Sequence, residues 1–76
     1  MENWQKHISI NAEIRSGKPC VTGTRITVSD VLSYLASGMS IEEIIKDFPS
    51  LNREKVLATL SFATYRDSMT KISFAS

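Results

Sequence analysis

The stretch SIEEIIKDFPSLNREKVLATLSF, Ser40–Phe62, decides the fold. Ser40 followed by Glu43 at the third helical position is a capping box, in which the Ser hydroxyl and the Glu carboxylate each accept a backbone N–H left unpaired by the first turn. Ile41, Ile44 and Ile45 form an apolar stripe, and Pro49 pushes Phe48 out of the helical region, so a helix over Ile41–Asp47 is predicted. Asn52 can cap a further helix, with Leu51 and Val56 spaced as a hydrophobic staple. Val56, Leu57, Leu60 and Ala63 read as its buried stripe, leaving Arg53, Lys55 and Thr59 on the outer face. Two helices joined by a few residues make a helix-turn-helix, the arrangement whose second helix enters a DNA major groove.

Toward the N-terminus, Val28, Val31, Leu32, Leu35 and Ala36 recur on one helical face, which predicts a first helix over Val28–Ser37. Thr27 caps it with Asp30 three residues on, and Gly38 can take the left-handed conformation that closes it. Ile26 with Val31 and Met39 with Ile44 repeat the staple spacing. Further upstream, Ile8-Ser9-Ile10 alternates apolar and polar residues. Cys20–Val28 carries the β-branched Val21, Ile26 and Val28 among the turn residues Gly17, Pro19 and Gly23. The expected fold class is mainly α, three helices with a short N-terminal β-strand pair. It forms one domain over 1–76: a strand and turn arm over 1–27, a helical core over 28–63, and a tail over 64–76. In that tail Met69, Ile72 and Phe74 show no clear period.

A chain of 76 residues, 42% hydrophobic and 22% charged, belongs to the ordinary globular range but has a thin core. Spare apolar surface on so small a domain favours self-association, so a homodimer or a complex is expected. A net charge of +1 neither announces nor excludes nucleic acid. Its distribution is uneven, because Ile41–Asp47 sets Glu42, Glu43 and Asp47 against Lys46 alone, whereas Asn52–Arg66 sets Arg53, Lys55 and Arg66 against Glu54 alone.

Cys20 and His7 are each the sole residue of their kind, too few for a zinc site, and neither a metal nor any other cofactor is expected. Gly17-Lys18-Pro19 fails as a phosphate loop: Ala12 stands at the upstream glycine position, and Pro19 replaces the Ser or Thr that holds magnesium. No spaced acid–base pair or nucleophilic triad is present, so no enzyme is expected. One cysteine calls for no oxidising compartment, and no stretch resembles a signal peptide or the run of roughly 20 apolar residues that spans a bilayer. A cytoplasmic protein that avoids membranes is the expectation.

The block Gly17-Lys18-Pro19-Cys20-Val21-Thr22-Gly23-Thr24-Arg25-Ile26-Thr27-Val28 precedes Gly38-Met39-Ser40-Ile41-Glu42-Glu43-Ile44 and then Phe48-Pro49-Ser50-Leu51. In that order and spacing the blocks closely resemble the DUF433 family, over roughly Ile8–Ala63. Two positions depart from its pattern: Ser16 stands where a second Gly is frequent, and Phe48 where Tyr is usual. The resemblance implies a homeodomain-like helix-turn-helix bundle and an antitoxin role beside a nuclease-like toxin of the PIN type. The corresponding expectation is a protein that binds that toxin, and operator DNA through its helix-turn-helix. The alternatives are a protein-interaction module without DNA binding and a stand-alone transcriptional regulator. At the DNA, Asn52 and Arg53 would approach base edges, Lys55 would neutralise a phosphate, and Thr59 would lie alongside. Arg25 would contact a phosphate or carboxylate, or else staple its own loop to the helices.

Overall fold

Thr27 and Ser40 start two helices by the same device. In the computed structural model, which describes residues 4–69, α1 (Val28–Ala36) begins where the Thr27 hydroxyl accepts the Asp30 N–H at 2.9 Å and the Asp30 carboxylate accepts the Thr27 N–H at 3.0 Å. It ends one residue before the predicted boundary. There Gly38, at φ +104°, lets its own N–H reach the Leu35 carbonyl at 3.0 Å and the Met39 N–H reach the Tyr34 carbonyl at 3.1 Å, the paired bonds of a Schellman motif. α2 (Ile41–Asp47) has the predicted bounds and a complete capping box, with bonds of 2.8 and 3.1 Å between Ser40 and Glu43. α3 (Arg53–Met69) starts where the Asn52 side-chain oxygen accepts the Lys55 N–H at 2.8 Å.

The arm before α1 contains β1 (Ile8–Ser9) and β2 (Cys20–Val21), antiparallel, with Ile8 opposite Val21 and Ser9 opposite Cys20. A single turn of 3-10 helix at Trp4–Lys6 precedes β1. The architecture is therefore three helices plus a two-stranded N-terminal sheet, as predicted. Both strands contribute to the core through Ile8 and Val21, which join Val28 and Val31 of α1, Ile44 of α2, Leu51 of the turn, and Val56 and Phe62 of α3. No helix among the described residues is long and apolar enough to cross a membrane.

α3 departs from its sequence reading in two respects. It continues through Tyr65 and Arg66 to Met69, past the expected end of the helical core, while Ile72 and Phe74 lie outside the described residues. Its buried face is also rotated: Val56, Ala58, Thr59 and Phe62 point inward, Leu57 and Ala63 are half-buried, and Leu60 is 36% exposed. Ranking positions by apolar character favoured the leucines. The inner position goes instead to Thr59, whose hydroxyl donates to the Val56 carbonyl of its own helix at 2.6 Å and so enters the core with its hydrogen bond made.

Ile44 is fully buried, so truncating it leaves a cavity that this small core fills poorly. Ile44→Ala is expected to cost about 2–5 kcal/mol, and Leu60→Ala no more than about 1 kcal/mol. Denaturant unfolding midpoints of the two variants check the order; equal losses would show that Leu60 belongs to the core.

Candidate macromolecule-binding site

α2 and α3 are joined by Phe48–Asn52, where the Leu51 N–H closes a turn on the Phe48 carbonyl at 2.9 Å and the Phe48 ring stacks on Tyr34 with centroids 4.9 Å apart. It is the ring that packs here, so Phe in place of Tyr leaves this contact intact. The turn presents the first residues of α3 to solvent and brings Asn52, Arg53 and Lys55 together. Each already has an intramolecular role. The Asn52 side-chain oxygen is the cap, and the Lys55 ammonium donates to the Ser50 carbonyl at 3.1 Å. The Arg53 guanidinium stands 3.7 Å from the Glu42 carboxylate. That last pair is exposed on both sides, 64% and 78%, so it holds Arg53 weakly and leaves it available to exchange partners.

Thr59 is not part of this cluster: it is fully buried, which corrects its expected place on the outer face. Arg25 also stands apart, in the exposed loop between β2 and α1. Its backbone carbonyl, rather than its guanidinium, ties that loop down. The donor is Arg15, whose Nη1 lies 2.8 Å from the Arg25 carbonyl and 3.2 Å from the Asp30 carboxylate. Arg15 is directed there by a backbone run in left-handed conformation, with φ of 51° at Arg15, 58° at Ser16 and 82° at Gly17. At Ser16 a glycine would be without the cost of about 1–2 kcal/mol that a side chain bears at positive φ. Asp30 thus joins three elements. Its carboxyl is held below the usual carboxylate range, chiefly by the Thr27 backbone N–H, then by the Thr27 hydroxyl and Arg15, with partial burial opposing.

Sequence reasoning missed a second surface. Trp4 packs edge-on against Phe62, centroids 4.8 Å apart, and at 5.1 Å against Tyr65 on the next turn of α3. These rings, with Ile8, Ile10 and Pro19, wall an open cleft of about 510 Å³. The Arg66 guanidinium lies at its edge, 5.7 Å from the centre of the Phe62 ring. No sequence period couples Trp4 to α3, because the contact closes the whole chain on itself. Among the described residues no three His, Cys, Asp or Glu side chains come together to hold a metal ion.

Residues 8–63 match the family described as "Protein of unknown function (DUF433)". The chain belongs to the DUF433 family. The match runs from Ile8 to Ala63, so the DUF433 region takes in the arm from β1 onward, α1, α2 and the first part of α3, and leaves out the Trp4–Lys6 turn. A crystal structure of a DUF433 member from Anabaena variabilis ATCC 29413 superposes with a TM-score of 0.79 at 23% identity, over 86% of this chain and 64% of that one. An uncharacterized protein of Sinorhizobium fredii, y4eO, is 39% identical over 49 residues, which is 64% of this chain. This chain spans only 22% of the length of that relative.

Because the Asp30 carboxyl is depressed in the folded state, its stabilising effect is complete above the unfolded carboxylate range and is lost as pH falls through its folded value. Asp30→Ala should therefore cost about 1–2 kcal/mol at neutral pH, the size of a helix cap. The variant should also lose part of the wild-type decline in stability below about pH 4. Unfolding at a series of pH values measures both effects; parallel wild-type and variant curves through the acid range would contradict this role.

Proposed function

We propose that this DUF433 chain is an antitoxin-type binding module whose principal contact is with a nuclease-like protein partner, made at the Trp4–Phe62–Tyr65 cleft. The observation that carries the reading is the cleft itself: an open apolar recess on a domain of 76 residues, with Ile10 64% and Tyr65 45% exposed. Ile10 and Tyr65 are not scattered singly but line one recess, and contiguous apolar surface of this kind is where a partner can complete the burial. The nuclease-like identity of that partner is what the family resemblance implies. Dimerisation of the chain would bury such surface in the same way and belongs to this reading.

A second reading, contact with operator DNA, is favoured by Arg53 alone. It is the one candidate at the start of α3 whose intramolecular bond is weak enough to exchange for a base edge or phosphate. The acidic Glu42 and Glu43 at the exposed start of α2, and a net charge of only +1, work against tight binding by one subunit. A dimer or the partner complex would supply the missing phosphate contacts.

Co-expression with the product of the neighbouring gene tests the first reading. That product is expected to co-purify and lose its growth-inhibiting effect, and Tyr65→Ala should weaken the complex roughly tenfold or more, as for a truncated aromatic anchor. A neighbouring product that neither co-purifies nor is tempered overturns the partner reading. Mobility-shift titrations of the chain's upstream DNA, with and without the partner, test the second. Arg53→Ala should cost about 1–3 kcal/mol and relax sequence preference; no shift in either case removes DNA from the account.

A further inference from the structure

Beside the aromatic cleft lies a second recess of about 400 Å³, walled by Lys18, Thr27, Ser29 and Leu32. The two share Gly17, Pro19, Phe62 and Arg66, so they adjoin, an apolar recess beside a more polar one, and together make up the groove between the arm and α3. Among the described residues its charged lining is entirely cationic: Lys18 and Arg66 border it, and no carboxylate does. Among the described residues neither cation is in an ion pair. Asp30, on the first turn of α1 beside Ser29, is already committed to Arg15 and Thr27.

Resting on the reading that the cleft binds a protein, we infer that the groove takes an acidic, amphipathic peptide segment of the partner. An aliphatic or aromatic side chain of that segment seats among Trp4, Ile10, Phe62 and Tyr65, and flanking carboxylates meet Lys18 and Arg66. Arg66 serves both recesses, since its guanidinium over the Phe62 ring still has its edge donors for a carboxylate. A peptide fits better than a nucleic-acid strand. Stacking a base needs an open ring face, whereas Trp4 stands at 75° to Phe62 and is tilted 44° to Tyr65, so these rings are turned on one another.

Trp4 is the sole tryptophan, so its fluorescence reports on the groove directly. A random peptide library selected on the full-length chain supplies the probes. Enriched peptides are expected to carry Asp or Glu near Leu, Phe or Trp and to alter Trp4 emission. They should bind the Lys18→Gln/Arg66→Gln double variant roughly fivefold or more weakly, as the loss of two partly exposed ion pairs implies. Both substitutions are at exposed positions, and circular dichroism confirms that the variant is folded. Enriched peptides without acidic residues, equal affinity for the double variant, or a stronger response of Trp4 to oligothymidine would each overturn the inference. The neighbouring gene product separates this site from the reading on which it rests. If it co-purifies equally with wild type and double variant, the groove assignment fails while the partner reading stands. If acidic peptides bind as expected but that product does not, the groove assignment stands and the nuclease-like partner is withdrawn.

Discussion

Val56, Thr59 and Phe62 face inward from α3, and α1, α2, β1 and the Trp4 turn all pack on that helix. The described residues share one core cluster, so the rotation of α3 about its axis determines which of its residues solvent meets. Thr59 makes that rotation possible. By donating to the carbonyl of Val56 it enters the core with its hydroxyl satisfied, and the leucines on either side turn partly outward. The same rotation brings Phe62 under Trp4 and sets Tyr65 and Arg66 along the cleft.

The N-terminal arm is held by apolar burial at Ile8 and Val21 and, at its turn, by polar geometry. Its two strands are only two residues long each, and Arg15 joins them to α1 by bonding the Arg25 carbonyl and Asp30 together. Asp30 therefore serves as the helix cap and as the anchor of the arm, which links the order of α1 to the shape of the groove that the arm lines. The left-handed run Arg15–Gly17 is the local strain that this link requires.

Helix starts were legible in the sequence because a cap is a local device: Thr27 with Asp30, and Ser40 with Glu43, bond within one turn wherever the chain goes. The turn at Pro49 is legible for the same reason, and the strand pair through the β-branched residues and turn residues around it. What escaped reading depends on distant parts of the chain. Thr59 looks like a surface residue until its own helix satisfies it, and Arg15 carries no motif until a left-handed turn aims it at Asp30. Trp4 becomes a site residue only when it meets Phe62. The pair α2 and α3 with its turn is thus visible in the sequence, whereas the groove is not, and Asn52 and Lys55 also make cap and turn contacts.

In the reading proposed above, this DUF433 chain binds through the groove between its arm and α3, with the start of α3 secondary. Amide hydrogen exchange of the chain, alone and in complex with the co-expressed neighbouring gene product, separates the two surfaces. Complex formation is expected to slow exchange at residues 4–10, 16–20 and 60–66 and to leave 48–55 at its unbound rate. Protection concentrated at 48–55, with the arm and the second half of α3 unchanged, would contradict that reading.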